Sequence, residues 1–246
     1  MEIKEIHDLF LTCTSVSIDT RKIEENSMFF AIKGEHFDAN TFAQEALNKG
    51  ALYVIIDNKD YYIDEKTILV SNTLETLQEV AKFHREYLGF PILALRGCNG
   101  KTTTKELINV VLSKRYHTRA TVGNLNNHIG VPLTLLSFTS DTEIGIVEMG
   151  ANHQKEIEFL CNIATPDFGY ITNFGKAHLE GFGGVEGVIK GKSEMYAYLS
   201  EHNKYVFVNL DDVIQKEKTD KNLRITFSHT DKNASVLINK IAANPF

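Results

Sequence analysis

The segment of residues 91–106, PILALRGCNGKTTTKE, constrains the fold of this chain more than any other stretch. A short apolar run at residues 92–95 is followed by the turn Gly-Cys-Asn-Gly, and the residues from 101 onward have the apolar spacing of a helix. The pattern predicts a buried strand, a phosphate-sized loop and a helix N-terminus, in that order.

A loop of this kind is suited to holding a phosphate group. Gly97 and Gly100 let the backbone approach a ligand, and the unpaired N–H groups and dipole of the helix favour an anion. Lys101 adds a positive charge, and the Thr102 hydroxyl can coordinate magnesium. The general spacing G-x-x-x-x-G-K-[ST] fails because Leu95 replaces its first glycine, so only the shorter G-x-x-G-K-T-T matches. An ordinary glycine-rich turn is the alternative, but the position between strand and helix favours a nucleotide phosphate site.

Length and charge narrow the classes of function. The 246 residues, 43% of them hydrophobic, are enough for two modest domains. A net charge of −6 argues against non-specific binding to nucleic acid. Three cysteines without C-x-x-C spacing predict neither a disulfide framework nor a zinc site and fit a reducing cytoplasm. The N-terminus lacks a signal-peptide core and no apolar run is long enough to span a bilayer, so membrane insertion is not expected.

The order of predicted elements indicates an α/β protein of two domains. Residues 1–88 form a small α/β unit, with the sequence Leu-Gly-Phe-Pro at 88–91 as the boundary. Residues 89–246 alternate strands with helices, which predicts a mostly parallel sheet with helices on both faces. In the first unit, the polar segments at 19–21 and 33–38 follow strands, where such sheets present loops to ligands; solvated turns are the alternative. His84, on the apolar face of a predicted helix, is interpreted as a boundary residue.

Three residues of the second region could carry chemistry. Glu148 ends an apolar strand, where a carboxylate can hold magnesium near the phosphate loop, although surface glutamates at strand ends are common. His178 lies in the glycine-rich segment 172–184 and suits a second metal or a phosphate oxygen, with a hydrogen-bonded loop histidine as the alternative. Lys192 falls toward the packed side of a helix, where burial lowers an amine's pKa and makes the neutral form available. A solvated helix face is the alternative for Lys192.

Six segments together resemble the Mur ligases, ATP-dependent enzymes that form amide bonds in peptidoglycan precursors. They are GCNGKTTTKE, GNLNNHIGVPLTLL, VEMGANHQKEI, ITNFGKAHLEGFGG, KGKSEMY and VNLDD. The resemblance is closest to the branch that adds D-alanyl-D-alanine to UDP-N-acetylmuramoyl-tripeptide. The segments at 19–21 and 29–51 also look like the family's UDP-binding N-terminal domain.

The resemblance implies roles for individual residues. ATP would be bound by Arg96, Gly97, Cys98, Asn99, Gly100, Lys101, Thr102, Thr103 and Asn209. The UDP-sugar peptide would contact Thr20, Arg21, Lys33, Asn126, Asn127, Thr172 and Asn173. Thr102 and Glu148 would hold one magnesium ion, His178 a second, and a carbamylated Lys192 would present an oxygen near that second metal. Lys101, Lys192 and His178 would be the catalytic residues.

The implied reaction activates the tripeptide carboxylate as an acyl phosphate, which the amine of D-alanyl-D-alanine then attacks. Positioning and charge neutralisation would supply most of the acceleration. The implied protein is a cytoplasmic monomer acting on small molecules, without nucleic acid as a partner. Arg96 and Cys98 depart from the family pattern of small, polar loop residues, and the arginine could add a phosphate contact or crowd the loop.

The family's third, C-terminal domain is expected to be missing, with the central domain incomplete at residue 246. Three alternatives therefore stand beside a ligase of the D-alanyl-D-alanine branch. They are a non-catalytic module that binds nucleotide or UDP-sugar, another Mur-type amide ligase, and a small kinase or hydrolase with a phosphate loop. Leu95 argues against the last.

Overall fold

A computed structural model describes residues 1–175 and 179–239, which belong to two units. The first unit comprises residues 1–89 and 128–140. The second comprises residues 90–127 and the described part of 141–246.

Helices and strands alternate along most of the chain. The helices are α1 (Ile3–Phe10), α2 (Ala43–Asn48), α3 (Thr73–Leu88), α4 (Lys101–Leu112), α5 (Gly130–Leu136), α6 (Glu156–Ala164), α7 (Leu179–Phe182), α8 (Val185–Glu201) and α9 (Val213–Lys218). The strands are β1 (Val16–Ser17), β2 (Met28–Phe30), β3 (Tyr53–Ile56), β4 (Thr67–Leu69), β5 (Ile92–Arg96), β6 (Thr118–Ala120), β7 (Ile144–Glu148), β8 (Phe168–Ile171), β9 (Tyr205–Asn209), β10 (Leu223–Ser228) and β11 (Val236–Leu237). Short 3-10 turns occupy Thr20–Lys22, Ala39–Phe42 and Lys59–Tyr61.

The first unit is built on a parallel sheet of four strands in the order β1-β2-β3-β4. Helix α3 begins after Asn72, whose side-chain oxygen accepts hydrogen bonds from the N–H groups of Leu74 and Glu75. It ends at Gly89, which has a φ of 72° and so takes the left-handed conformation that glycine adopts readily. The sequence therefore fixes both ends of this helix by local chemistry.

Helix α5 belongs to the first unit, where it packs against α3. The sequence pattern places residues 128–140 in the second region, and the structure differs from that expectation here. Val131 and Leu135 of α5 are fully buried. Because a helix of 7 residues buries too little surface to stand alone, its packing partner decides where it lies.

The second unit is organised around β5. Within the described residues, its sheet has seven strands in the order β11-β10-β9-β8-β5-β7-β6, and the pairings between them are parallel. The chain leaves β5 toward one edge through α4 and β6, whereas β8, β9 and β10 extend toward the other. The end of β5 therefore lies where the strand order reverses, the place at which α/β sheets bind ligands.

Helices cover both faces of this sheet, as the sequence predicted. Gly169 of β8 faces α8, since a Cβ atom there would lie 2.4 Å from a methyl group of Leu199. The next residue, Tyr170, lines a groove together with Leu107 and Ile108 of α4. Because successive strand residues point to opposite faces, α4 and α8 lie on opposite sides.

The groove beside α4 has a volume of about 480 Å³ and an almost wholly apolar lining. Its lining residues are Leu93, Thr104, Leu107, Ile108, Val111, Leu112, Tyr170, Phe207 and Phe227. No helix in the described part of the chain is both long and apolar enough to cross a membrane.

Candidate functional site

The loop between β5 and α4 has the geometry of a phosphate cradle. Gly100 precedes α4 with a φ of 75°, and the helix opens with Lys101. The Lys101 ammonium folds back over the loop, lying 3.0 Å from the carbonyl oxygen of Gly97 and 3.4 Å from that of Cys98. Burial lowers the pKa of Lys101, and the charge of Arg96 acts in the same direction. Free helix N–H groups beside a cation suit an anionic ligand.

Two residues at the end of β8 hold this loop in place. The side-chain oxygen of Asn173 accepts hydrogen bonds from the N–H groups of Cys98 (3.2 Å) and Asn99 (3.4 Å). The Asn173 amide and the Thr172 hydroxyl both donate to the carbonyl of Asn99, at 2.9 Å and 3.0 Å. A Cβ atom at Gly97 would lie 1.9 Å from the Thr172 hydroxyl oxygen, so only glycine fits. Thr172 and Asn173, predicted as substrate contacts, thus support the loop.

Glu148 lies directly beside the start of α4. It is paired with Leu95 in the sheet, is 2% exposed, and accepts a hydrogen bond from the Thr102 hydroxyl at 3.1 Å. Its second carboxylate oxygen accepts a hydrogen bond from the Asn126 amide at 2.8 Å. The structure therefore brings together Thr102, Glu148 and the predicted substrate contact Asn126.

A hydroxyl and a carboxylate in contact are a donor set that Mg²⁺ prefers. The described residues contain no group of three His, Cys, Asp or Glu side chains that could hold a metal. Mg²⁺ commonly keeps several waters and is bound by one or two protein oxygens plus the substrate phosphates. The pair Thr102 and Glu148, next to a phosphate-sized loop, fits that mode of binding.

Lys192 is 1% exposed and lies against the other side of the loop. Its amine is 2.7 Å from the sulfur of Cys98 and 3.1 Å from the carbonyl oxygen of Asn173. Burial lowers the pKa of Lys192, the charges of Arg96 and Lys101 lower it further, and Cys98 opposes them. The predicted packed-side position of this lysine is confirmed.

The Arg96 side chain contacts main-chain carbonyl oxygens just beyond the end of β7. Its guanidinium is buried at the carbonyl oxygens of Met149 (3.5 Å) and Ala151 (3.3 Å), and its Nε has no partner within the described structure. Burial lowers the pKa of Arg96 to about 10. Arg96, Lys101 and Lys192 thus place three basic side chains close to the loop in a protein of net charge −6.

Lys105, a fully buried lysine on α4, is not among the residues predicted from the sequence. Its amine donates to the Thr121 carbonyl at 2.5 Å and forms an ion pair with Glu106 at 2.9 Å. The hydroxyl of Thr121 in turn accepts a hydrogen bond from the N–H of Glu148. A signal was present, because Lys105 follows Lys101 by one helical turn and shares its side of the helix.

The candidates in the first unit lie in two of its loops. Asp19 binds the Arg21 guanidinium through both carboxylate oxygens, which lowers the pKa of Asp19 to about 2. The carbonyl of Thr20 accepts a hydrogen bond from Lys49 at 3.0 Å. Lys33 pairs with Asp38 through an isolated antiparallel bridge. These residues remain predicted ligand contacts.

The remaining candidates are scattered. Asn209 ends β9 and accepts a hydrogen bond from the N–H of Asp211 at 3.0 Å. Thr103 and Asn127 are exposed. His178 lies outside the described residues, so its predicted metal role stays a prediction.

The fold and the loop define an α/β protein with a glycine-rich, phosphate-sized loop at the switch point of its sheet, and comparison with known proteins narrows the class. The family profile for the Mur ligase middle domain matches residues 96–246. A second profile, described as Mur ligase family, catalytic domain, matches residues 12–85. This chain belongs to the Mur ligase family.

Three relatives illustrate the similarity. The UDP-N-acetylmuramoyl-tripeptide–D-alanyl-D-alanine ligase of Bacillus subtilis (strain 168) is 39% identical over 202 residues, which cover 81% of this chain and 44% of that protein. The structure of MurF ligase from Thermotoga maritima in complex with ADP superposes with a TM-score of 0.79 at 31% identity, covering 91% of this chain and 52% of the other. A crystal structure of MurF from Acinetobacter baumannii superposes with a TM-score of 0.82 at 29% identity. The match covers 98% of this chain and 55% of the other. This chain spans about half the length of these relatives.

Proposed function

We propose that this chain supplies the nucleotide-binding part of an ATP-dependent amide ligase of peptidoglycan precursor synthesis. The proposed reaction joins D-alanyl-D-alanine to UDP-N-acetylmuramoyl-tripeptide. The γ-phosphate of ATP is transferred to the tripeptide carboxylate, and the dipeptide amine then displaces phosphate from that acyl phosphate. The observation that carries the proposal is the loop of residues 97–100, with Lys101 folded over it and the pair Thr102 and Glu148 at its edge.

The two units have different parts in this proposal. The first unit, through Thr20, Arg21 and Lys33, binds the uridine-linked precursor. The second binds ATP, with Asn209 near the base. The protein works as a monomer in the cytoplasm on small-molecule substrates.

Magnesium is the proposed metal cofactor. Thr102 and Glu148 hold one ion, which supplies charge neutralisation for the phosphates. The protein's own contribution is the positive charge of Lys101 and the N–H groups at the start of α4. His178 is proposed for a second ion.

Lys192 is proposed to be carbamylated. Its burial favours the neutral amine, which is the form that adds to carbon dioxide and releases a proton. The product carries a carboxylate-like group close to Lys101 and to the loop. The nearby cations would stabilise that negative charge.

Two measurements test the proposed function. Calorimetric titration with ADP and Mg²⁺ should give binding to the chain, and Lys101→Met should weaken it roughly 10-fold or more because a charge-assisted contact to phosphate is lost. Lys114→Met, at an exposed position beyond the same helix, is the matched control. Unchanged affinity in Lys101→Met would remove the loop as the phosphate site.

A turnover assay decides between ligation and binding alone. Phosphate release that depends on both the tripeptide precursor and D-alanyl-D-alanine supports the ligase. Since this chain covers only 44% of the Bacillus relative, nucleotide and UDP-sugar binding without turnover is the second candidate. Phosphate release in the absence of the dipeptide would contradict both.

A further inference from the structure

Lys105 is a buried cation that the proposed reaction does not use. Its side chain is fully buried, and it reaches from α4 to the segment that follows β6. The carbonyl of Thr121 and the carboxylate of Glu106 are its partners. Burying an ammonium costs several kcal/mol in desolvation, and an apolar residue of similar volume is often as stable or more so. Packing alone therefore does not explain why a lysine occupies this buried position.

Thr121 connects this lysine to the carboxylate at the site edge. The Thr121 hydroxyl is 2.9 Å from the N–H of Glu148, and Thr121 itself is 1% exposed. Lys105 thus fixes the main chain of Thr121 through its carbonyl, and the side chain of Thr121 fixes the main chain of Glu148. One turn earlier on the same helix, Thr102 contacts the Glu148 carboxylate.

These contacts form a chain of hydrogen bonds that starts and ends on α4. It runs from Lys105 through Thr121 and Glu148 to Thr102, and the helix itself joins its two ends. Such an arrangement sets both the distance and the rotation between the helix and strand β7. A carboxylate and a hydroxyl that share one metal ion need that relative position to be kept within a fraction of an ångström.

We propose that Lys105 is a positioning residue for the divalent-cation site formed by Thr102 and Glu148. Its side chain is fully buried, and it acts through Thr121. This inference rests on the proposed function, because it assigns Lys105 to the magnesium site of the same loop. Residues that hydrogen-bond to metal ligands and orient them commonly contribute roughly 10-fold to 100-fold to metal affinity.

Three variants of the intact chain test the role. Lys105→Met keeps the aliphatic length and removes the donors, Lys105→Arg keeps a cation and donors, and Lys114→Met removes an exposed lysine as the control. For each, ADP affinity is measured in excess Mg²⁺ and again with a chelator. Lys105→Met should lose the Mg²⁺-dependent part of the affinity, by roughly 10-fold, and keep the metal-free part. Lys105→Arg should recover at least part of the loss.

A merely structural role would give a different pattern. It would reduce affinity equally with and without Mg²⁺, or leave both unchanged, and either result overturns the proposal. Rescue by Lys105→Arg in the Mg²⁺-dependent part alone is the result that a loss of packing would not produce.

Amide hydrogen exchange gives a readout that needs no ligand. Lys105→Met should raise deuterium uptake in residues 119–124 and 145–150 and leave α8 and α9 unchanged. Uptake that is unaltered, or raised throughout the second unit, contradicts the positioning role. If the wild-type chain binds no ADP at all, the proposed function fails, while the exchange experiment still decides whether Lys105 holds Glu148.

Discussion

The Thr102 hydroxyl lies 3.1 Å from a carboxylate oxygen of Glu148, although 46 residues separate them in the chain. The contact exists because β7, which ends at Glu148, lies beside β5 in the sheet, and β5 leads through the loop into α4. An oxygen pair suited to Mg²⁺ is thereby fixed at the edge of a loop suited to phosphate.

Glu148→Gln should remove the magnesium dependence of nucleotide binding. The amide keeps the shape and one acceptor oxygen, but it loses the negative charge that a hard cation requires. ADP affinity in excess Mg²⁺ should fall roughly 10-fold, to the value measured with a chelator. Glu143→Gln, at an exposed position just before the same strand, should leave both titrations as in the wild type. A Glu148→Gln protein that still responds fully to Mg²⁺ would show that the cation binds elsewhere.

Gly97→Ala should distort the phosphate loop, because its Cβ atom would lie 1.9 Å from the Thr172 hydroxyl oxygen and 3.1 Å from the Thr172 Cβ. The expected loss is about 1–3 kcal/mol in the free energy of unfolding, measured by urea titration, together with weaker ADP binding. Thr172→Gly removes the atoms in the way, so the double variant should lose less than the sum of the two single changes. Additive losses would mean that the effect of Gly97→Ala does not arise from a steric clash with the Thr172 side chain.

The local pattern of residues 91–106 was sufficient to predict the strand, the loop and the helix of the candidate site. Its glycines, its apolar run and the helical spacing of its apolar residues each determine local structure within a few residues. Such structure can be predicted from the sequence directly. Glu148 could be placed near the loop because parallel strands bring their carboxyl ends to one edge of a sheet.

The rest depended on contacts between distant segments. Thr172 and Asn173 are hydrogen-bonded to the loop, a contact that the sequence did not signal, and their contact with substrate stays a prediction. Arg96 turns to the carbonyls of Met149 and Ala151, which the sequence around it does not signal. Helix α5 packs against α3 in the first unit. Burial of its apolar side chains decides this position, and the short sequence of the helix does not signal it.

A buried histidine pair should make the first unit sensitive to acid. The ring nitrogens of His7 and His84 are 3.0 Å apart, and the other nitrogen of His84 is 3.0 Å from the Phe138 carbonyl oxygen. A carbonyl only accepts, so His84 donates to Phe138 and its second nitrogen accepts from His7. Burial lowers the pKa of both rings, and for His7 the neighbouring His84 lowers it further. Both rings are therefore neutral in the folded protein at neutral pH.

The sign of the pH effect follows from these lowered pKa values. Below the unfolded value of 6.5, the unfolded chain binds protons that the folded pair does not, so stability falls as pH drops through and below 6.5 toward the folded values. Urea unfolding at about pH 7.5 and about pH 5.5 should show this loss in the wild type. The double variant His7→Gln, His84→Gln should lose less between the two pH values, whereas the exposed His36→Gln should behave as the wild type. Equal losses in all three proteins would assign the acid sensitivity to other groups.

Lys192 should bind carbon dioxide when the protein is exposed to bicarbonate. Only 1% of the residue is exposed, and its lowered pKa favours the neutral nucleophile. Carbamate formation releases a proton, so occupancy should rise with pH as the amine deprotonates. With ¹³C-labelled bicarbonate, a carbamate signal should appear in the NMR spectrum of the wild type and be absent from Lys192→Arg.

The same helix provides the control for this experiment. Lys190→Arg, two residues away at an exposed position, should keep the ¹³C signal. Cys98→Ala should increase it, because the carbamate needs the space in which the Cys98 sulfur now lies 2.7 Å from the amine. A signal that survives in Lys192→Arg would come from another amine, and the absence of any signal in the wild type across the pH range would exclude carbamylation of Lys192 in this chain.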